Sequence, residues 1–358
     1  MLTETRLREI LDQFSRLRIA VVGDFFLDKY LLIAPALDEP SVETGLTAYQ
    51  IVSKRRSPGA AGTVANNLKA LGIGTIDAVG MSGVDGEGLE LRMELTKLNA
   101  NQEHFYAVEE RFTPTYTKPM RLNKSLQKPE TIEEEEMNRF DIKNRRPLPP
   151  WVEFQIEKAL ESLIEQADAI MVMDQVSEKN CGVITDRVRE KVAKLGEKYP
   201  EKIIYADSRE RIALYEKVLI KCNNYEVVGS FYPEYDLSAI SQQNEPPDDL
   251  VEECGWKMVE RTGRTVFVTL GARGQWVFEA GLKDRTVAKV AAIPVEGPID
   301  ICGAGDATSS GIVAALCCGA TLTEAAFFGN LVASITIKQL GTTGTASPSQ
   351  ILAALKKS

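Results

Sequence analysis

The sequence has little of the chemistry that many enzymes depend on. It contains one histidine, His104, and none of its six cysteines form a C-x-x-C pair. A Ser-His-Asp triad or a histidine-rich metal site would have to use His104, and no G-x-S-x-G sequence accompanies it. We therefore predict a surface or strand position without a catalytic role for His104. The cysteine spacing argues against a zinc site or a disulfide framework.

Long apolar runs are also missing. No stretch approaches the ~20 apolar residues of a membrane-spanning helix, and the charged, amphipathic N-terminus lacks the apolar core of a signal peptide. The net charge of −9 disfavours nucleic acid as a partner. We expect a cytoplasmic protein that binds neither membranes nor nucleic acid.

Three common nucleotide-binding signatures are absent. There is no G-x-x-x-x-G-K-[ST] sequence, which excludes a P-loop enzyme. There is no H-R-D or D-F-G set of a protein kinase. The first strand-like run is followed by "VVGDFFLD" where a dinucleotide-binding protein would carry G-x-G-x-x-G.

Strand-like and helix-like segments alternate along most of the chain. "RIAVVG" (18–23) and "DAIMVMD" (168–174) read as buried strands, and "AAGTVANNLKALG" (60–72) has apolar residues at helical spacing. This alternation predicts an α/β fold with a mostly parallel sheet between two layers of helices. Several polar residues or glycine loops follow the strands, where ligands of open α/β sheets bind; they are Asp24, Asp174, Asp207 and the loop after Leu270.

Two stretches interrupt the alternation. Residues 25–58 contain strand-like pieces and no good helix, and residues 104–122 alternate like exposed β-structure. Together they would form a small side sheet, which could be a lid or a plain surface hairpin. The run "EEEE" (133–136) is predicted to be a solvated turn.

The sequence Gly303-Ala304-Gly305-Asp306 stands directly before an apolar helix. One interpretation is a turn followed by a helix cap from Asp306. The other is a phosphate site, because bare N–H groups and the positive end of a helix attract anions. A carboxylate beside an anion site would then serve as the base that accepts a proton from an attacking hydroxyl.

The chain resembles the ribokinase-like (PfkB) carbohydrate kinases over almost its whole length. The segments "DICGAGDATSSGIVAAL", "SPGAAGTVANNLKALG", "IAVVGDFFLDKY", "NNYE" and "TLGARG" carry the resemblance, in the family's order. It implies one domain over residues 1–358, a three-layer sandwich with a β lid from about 25–58 and 104–122. It also implies phosphoryl transfer from ATP to a hydroxyl, with Asp306 as the base and an anion hole formed by the backbone of Gly303, Ala304 and Gly305.

The resemblance assigns the nucleotide and metal sites by position. Two residues of the "NNYE" segment would organise Mg²⁺ and phosphate through water, namely Asn223 and Glu226. The nucleotide would lie along residues 269–274 and 330–345, with contacts from Thr269, Gly271, Gly274 and Asn330. Some family members use a monovalent cation such as K⁺ near the phosphate loop, and the matching positions are Asp300, Cys302 and residues 339–345.

The acceptor site would lie under the lid. The family's sugar-contacting aspartate maps to Asp28 or Asp24, and its glycine-rich segment maps to Gly59, Ala60 and Asn67. The segments "VGDFFLDKY", "PTYTKPMRL", "NRFD" and "KQLGTTGTASPSQI" resemble heptose-phosphate kinases in particular. A phosphorylated sugar needs cations, which Lys118 and Arg121 would supply, although the same pair could be a solvated strand face.

The chain also departs from the family's pattern, and the departures leave the sugar open. Ala60 replaces a glycine, Thr63 replaces an asparagine, and Ile301 replaces a threonine or serine. The alternatives are a heptose-phosphate kinase, a kinase of nucleosides or vitamin-like alcohols, and a sensor that binds sugar or nucleotide without catalysis. A homodimer formed through the lid is expected, because such sheets expose apolar faces.

Overall fold

The computed structural model describes residues 2–124, 132–235 and 245–356. The strands are β1 (Arg18–Gly23), β2 (Phe25–Ile33), β3 (Glu39–Pro40), β4 (Thr47–Ala48), β5 (Ile51–Ala60), β6 (Thr75–Gly83), β7 (Phe105–Val108), β8 (Thr115–Lys124), β9 (Ile132–Glu136), β10 (Phe140–Ile142), β11 (Ala169–Asp174), β12 (Ile203–Ser208), β13 (Leu219–Asn223), β14 (Val266–Thr269), β15 (Gln275–Phe278) and β16 (Ala288–Val290). The α-helices are α1 (Glu4–Leu11), α2 (Ala61–Leu71), α3 (Gly86–Lys97), α4 (Pro150–Gln166), α5 (Asp186–Lys198), α6 (Asn224–Gly229), α7 (Asp248–Thr262), α8 (Ala304–Cys317), α9 (Leu322–Thr336) and α10 (Pro348–Leu355). Within these described ranges, no helix combines the length and the apolar character needed to cross a membrane.

The main sheet has nine strands in the order β16-β15-β14-β13-β12-β11-β1-β6-β7. The strands from β14 to β7 are parallel, and β15 runs antiparallel to both of its neighbours. Because side chains alternate along a strand, Ile19 and Val21 of β1 enter one apolar core and Ala20 and Val22 enter the other. The first core is covered by α1, α2, α8 and α9, and the second by α4, α5 and α7. The prediction of a three-layer α/β fold with a mostly parallel sheet is confirmed.

The parallel strands end at one edge of the main sheet, where the predicted polar residues gather. Asp24 follows β1, and Asp207 lies one residue before the end of β12. Asp174, Asn223 and Thr269 are the last residues of β11, β13 and β14. Since neighbouring strands are in direct register, this edge brings together residues that are up to 245 positions apart in the chain.

A separate small sheet stands beside this edge. Its order is β10-β8-β2-β5, with β9 also paired to β8. The pair β2–β8 is parallel and the other pairs are antiparallel. The chain passes from β1 into β2 with only Asp24 between them, so the two sheets are joined at the carboxyl end of β1.

Two details differ from the sequence-based expectation. Within the stretch 104–122, Phe105–Val108 pairs with β6 as the edge of the main sheet, and only Thr115–Lys124 joins the small sheet. The run "EEEE" forms β9 and is not a turn. Its charges are compensated there, since Glu134 forms an ion pair with Arg55 at 2.7 Å and Glu136 lies 3.8 Å from Lys118.

Candidate active site

The GAGD loop (residues 303–306) places Gly303 as the N-cap of α8, with a left-handed φ of 76°. No side chain caps the helix, so the interpretation of Asp306 as a helix cap is wrong. Among the described residues, the N–H groups of Gly303, Gly305 and Asp306 have no acceptor, whereas the Ala304 N–H donates to the Ile301 carbonyl at 3.1 Å. The free donors therefore include Gly303 and Gly305 as predicted, but Asp306 takes the place of Ala304.

The Asp306 carboxyl is half-buried, and no described residue hydrogen-bonds to it. The pKa of Asp306 is raised to about 7, mainly by burial; the negative charges of Asp207 and Asp28 contribute to the rise, and the Lys221 ammonium opposes it. A carboxyl with this pKa can accept a proton near neutral pH. The GAGD loop thus combines unpaired N–H donors with an unpaired base.

A buried ion pair lies beneath the GAGD loop. The Nζ of Lys221 is 2.5 Å from Oδ2 of Asp207, and both side chains are buried. The same oxygen accepts the Ser309 hydroxyl at 3.1 Å, and Tyr205 donates to Ser309 at 3.2 Å. Burial alone would lower the pKa of Lys221, but Asp207 outweighs it, so the pKa is raised and the amine stays charged.

Lys221 also lies next to the backbone of the loop. A Cβ atom at Gly305 would be 3.1 Å from its Nζ, with no other atom within 4 Å. Sequence reasoning missed Lys221, although a lysine inside the apolar strand "LIKCN" was a visible signal.

Asn223 and Glu226 stand at the N-terminus of α6, with Cys222 between Lys221 and Asn223. They form a reciprocal capping box, in which the Asn223 N–H donates to Glu226 at 2.7 Å and the Glu226 N–H donates to Oδ1 of Asn223 at 2.8 Å. Burial raises the pKa of Glu226 to about 7. In the described part of the chain, no group of three or more His, Cys, Asp or Glu side chains is arranged to hold a metal ion.

A cavity of about 290 Å³ opens beside the GAGD loop and α9, and we refer to it as the α9 cavity. All four residues predicted to contact the nucleotide line it, together with Ala304 and Gly305. Asn330 accepts a hydrogen bond from Gln275 at 2.6 Å and donates to the Ala291 carbonyl at 3.0 Å. Of the predicted nucleotide stretch 330–345, residues between 330 and 337 line this cavity and residues 339–345 do not. Residues 292–295 also line it, although nothing in their sequence indicated a site.

The two candidate aspartates before and within β2 have different environments. Asp24 is buried, and its carboxylate accepts the N–H groups of Gln175, Val176 and Val183, which fixes the loop after β11. Burial raises the pKa of Asp24 to about 6. Asp28 lies on β2, close enough to Asp306 for its charge to act on that carboxyl. The Asp28 carboxylate has no hydrogen-bond partner among the described residues and is thus free to meet a ligand.

The glycine-rich segment passes close to Asp28. A Cβ atom at Gly59 would be 2.5 Å from Oδ2 of Asp28, so only glycine leaves that carboxylate in place. Ala60 has a φ of 55° and a ψ of −120°, a conformation that suits glycine. Asn67 is fully buried and bonded to the Thr63 carbonyl at 3.0 Å. It is Thr63 that faces the GAGD loop, since its Cγ2 would be 3.4 Å from a Cβ at Gly303.

A second cavity, of about 340 Å³, lies between the small sheet and the carboxyl edge of the main sheet; we refer to it as the small-sheet cavity. Its walls include Tyr116, Arg139 and Arg209. Arg139 stacks over the Tyr116 ring at 4.2 Å and is paired with Asp141 at 2.6 Å. Arg209 has no side-chain partner among the described residues. None of these three residues was singled out from the sequence.

The predicted cations Lys118 and Arg121 are separated by the pleat of β8. Residues three apart on a strand point to opposite faces, so only one of the two side chains can face the cleft between the small sheet and the GAGD loop. Lys118 does, because its charge opposes the rise that burial causes in the pKa of Asp28, and its Nζ is 5.3 Å from the centre of the Tyr30 ring. Arg121 lies on the other face, opposite the buried Ile33.

Asp300 and Cys302 lie at the entrance to the GAGD loop. The Asp300 carboxylate accepts the Cys302 N–H at 2.9 Å and the Gly341 N–H at 3.0 Å. It therefore fixes the 339–345 loop to the GAGD loop, where a cation was predicted. His104 precedes β7, away from these residues in the fold.

Sequence comparison identifies related proteins. Two relatives are the bifunctional protein HldE of Desulfatibacillum aliphaticivorans, 25% identical over 331 residues, and that of Nitratiruptor sp., 26% identical over 329 residues. The matches cover 92% and 90% of this chain but only 61% and 62% of those proteins. The chain thus spans less than two thirds of the length of these relatives.

Solved structures share the fold. The match to phosphofructokinase-2 from Escherichia coli in complex with potassium has a TM-score of 0.64 and 17% identity, and covers 95% of this chain and 99% of that one. Ribokinase from Arabidopsis thaliana, complexed with ribose and ATP, has a TM-score of 0.64 and 16% identity, with coverages of 96% and 99%. The pfkB family carbohydrate kinase model matches residues 46–350, most of the chain. The chain belongs to the pfkB family of carbohydrate kinases.

Proposed function

We propose that the protein transfers the γ-phosphoryl group of ATP to a hydroxyl of a sugar or sugar phosphate, with Asp306 as the general base. The observation that carries the proposal is the Asp306 carboxyl itself, which is unpaired among the described residues and has a pKa of about 7. It lies beside the unpaired N–H groups of Gly303 and Gly305, which would stabilise charge on the transferring phosphoryl group.

The nucleotide would occupy the α9 cavity. Thr269, Gly271, Gly274 and Asn330 line this cavity, and Ala304 and Gly305 connect it to the GAGD loop. Apolar side chains such as Ile293, Val295 and Ile337 also line the cavity, and they suit the faces of a purine. The phosphates would then extend from this cavity toward the N-terminus of α8.

The acceptor would lie between the small sheet and the GAGD loop. Asp28 would bind its hydroxyl groups, Gly59 allows the close approach, and the small-sheet cavity would hold the distal end of the molecule. Lys118, Arg139 and Arg209 favour an acceptor that already carries a phosphate. A heptose phosphate is the finer candidate, because several motifs resemble heptose-phosphate kinases.

Mg²⁺ fits the residues at the N-terminus of α6. Mg²⁺ commonly keeps several waters and binds one or two carboxylates together with substrate phosphates. Glu226 uses one carboxylate oxygen for the Asn223 N–H and has a second one available, which suits a water-mediated contact. The ion would neutralise charge on the phosphates. A monovalent cation such as K⁺ would lie at the loop fixed by Asp300, near Cys302.

We further propose a homodimer formed through the small sheet. Large apolar side chains are exposed along this region, including Leu46, Ile51, Val52 and Phe140. Contiguous exposed apolar surface commonly marks an interface. Light scattering of the purified protein tests the proposal, and a monomer at micromolar concentration would contradict it. With ATP as the donor, we keep the expectation of a cytoplasmic enzyme.

The test of the base is Asp306→Asn. We expect kcat to fall by about 10²–10⁴-fold while the melting temperature stays near that of the unchanged protein. Asp186→Asn is the matched control, since Asp186 also stands in the first turn of a helix, α5, on the other face of the main sheet. An Asp306→Asn protein that folds, binds ATP and turns over at the original rate would contradict the proposal.

A panel of acceptors separates the remaining alternatives. Sugar phosphates, free sugars, nucleosides and vitamin-like alcohols would be tested with Mg–ATP. If a nucleoside were the only acceptor phosphorylated, the protein would be a nucleoside kinase and the proposed sugar acceptor would be wrong. Tight binding of a sugar or nucleotide without phosphorylation of any acceptor would favour the sensor.

A further inference from the structure

The ammonium of Lys221 is buried beneath the loop that holds the transferred group. An ammonium has three N–H donors, and among the described residues Lys221 has one hydrogen-bond partner, Asp207, at 2.5 Å. Its Nζ is so close to Gly305 that a Cβ atom there would lie 3.1 Å away. The remaining donors of Lys221 are therefore next to the unpaired N–H groups of the GAGD loop.

A purely structural ion pair explains this arrangement poorly. Burying an ammonium costs several kcal/mol, and a well-packed apolar pair is often at least as stable. Asp207 is moreover held by other groups, because the same carboxylate oxygen accepts the Ser309 hydroxyl, which in turn accepts from Tyr205. This chain of hydrogen bonds fixes Asp207, and Asp207 in turn fixes the position of the Lys221 ammonium.

We propose that Lys221 is a catalytic residue whose Nζ binds the transferring phosphoryl group, and that Asp207 is the residue that positions it. The inference rests on the proposed function. In the transfer step, the bond between the acceptor oxygen and the γ-phosphorus forms and the bond between that phosphorus and the β,γ-bridging oxygen breaks. The acceptor proton goes to Asp306, and Lys221 remains protonated throughout.

The arrangement divides the work between backbone and side chain. The N–H groups of Gly303, Gly305 and Asp306 are fixed dipoles, whereas Lys221 supplies a full positive charge on the Gly305 side of the loop. A point charge in a partly buried site stabilises developing negative charge more strongly than it would in water. Gly305 has no side chain that would separate this charge from the ligand.

The test is Lys221→Met, with binding measured as well as turnover. By calorimetry, we expect a non-hydrolysable ATP analogue to bind about 10- to 100-fold more weakly, and AMP, which lacks the β- and γ-phosphates, to bind as before. With a working acceptor, kcat should fall by about 10²–10³-fold. Arg18→Met is the matched control, because it removes another cation paired with a buried aspartate, Asp77, at the opposite end of the strands.

Further variants keep the proposal open to contradiction. If Lys221→Met does not fold, Lys221→Gln removes the charge but retains an N–H donor for Asp207. Asp207→Asn should lower kcat about tenfold while the KM for ATP changes less than threefold. Lys221 stays beneath the loop, but without Asp207 burial lowers the pKa of its amine, and the ammonium is less well placed. Unchanged analogue affinity and unchanged kcat in folded Lys221→Met would show that the pair is only structural. The binding measurements need no acceptor, so they stay informative even if the protein phosphorylates no sugar.

Discussion

The two sides of the cleft, at the α9 cavity and at the small sheet, differ in whether backbone groups or side chains form them. On the side of the α9 cavity, the contacts come from backbone N–H groups and from glycines whose missing side chains leave room, such as Gly274 and Gly305. On the side of the small sheet, they come from charged and aromatic side chains, such as Asp28, Tyr116 and Arg139. A backbone site suits a donor that is the same throughout a family, whereas a side-chain site can change with the acceptor.

On the side of the α9 cavity, a single added methyl group should cause the larger loss of stability. In Gly274→Ala, the Cβ atom would lie 2.1 Å from the Val290 carbonyl oxygen and 2.5 Å from the Ala292 nitrogen, and φ is +92°. The wall of the α9 cavity would have to move. We expect a loss of about 3 kcal/mol or more in stability and a matching loss of nucleotide binding, measured by thermal denaturation and calorimetry.

Gly271→Ala is the control for this change. Gly271 lies in the same loop and also has a positive φ, of +55°, but a Cβ atom there would meet nothing within 4 Å. Its cost should be only about 1–2 kcal/mol. Equal losses in the two variants would show that backbone conformation, and not the close approach to Val290, makes Gly274 necessary.

On the side of the small sheet, a substitution should change the kinetics of the acceptor and leave those of ATP nearly unchanged. Asp28→Asn removes a charge that Lys118 and Arg139 both face. We expect kcat/KM for the acceptor to fall by about 10- to 100-fold, the value of a hydrogen bond to a charged group. The KM for ATP should change less than twofold. Steady-state kinetics with each substrate varied in turn provides the measurement.

Asp24→Asn gives the contrast on the same side of the cleft. Its carboxylate holds three backbone N–H groups, so the variant should lower the melting temperature first. If Asp28→Asn instead raised the KM for ATP as strongly as that for the acceptor, the division of the cleft into two sides would be wrong.

The pH dependence of kcat/KM should show the titration of the proposed base, Asp306. Burial raises the pKa of Asp306 to about 7, so the carboxyl is protonated and inactive at lower pH. The rate should therefore fall as pH falls through about 7, by about tenfold per pH unit for one proton. Burial also raises the pKa of Glu226 to about 7, so the fall can be steeper.

Glu226→Gln separates these two titrations. In that variant, the acid limb should keep a slope of one proton, because Asp306 still titrates. A profile that stays flat from about pH 5 to pH 8 in the unchanged protein would contradict a base with this pKa.

The difference between the sides also explains what the sequence could predict. The alternation of strands and helices and the GAGD segment are local signals, and they led to the layered fold and to Asp306. The resemblance of other segments to the family led to four of the residues that line the α9 cavity, namely Thr269, Gly271, Gly274 and Asn330. Arg139 and Arg209 line the same cavity only because the two sheets bring β8, β10 and β12 close together. Lys118 and Arg121 were paired by their proximity in sequence, and the pleat of β8 separates them.

The smallest expected effect is that of a substitution at Ala60, the last residue of β5. Ala60 occupies a conformation with φ 55° and ψ −120°, which suits glycine better than alanine. Such strain costs about 1–3 kcal/mol, and the extra freedom of an unfolded glycine offsets about 0.5–1 kcal/mol of the relief. Ala60→Gly should therefore stabilise the protein by about 1 kcal/mol, seen as a small rise in melting temperature. Ala65→Gly, the same change inside α2, should instead destabilise it. A fall in melting temperature for both variants would mean that the side chain of Ala60 contributes packing that outweighs its strain.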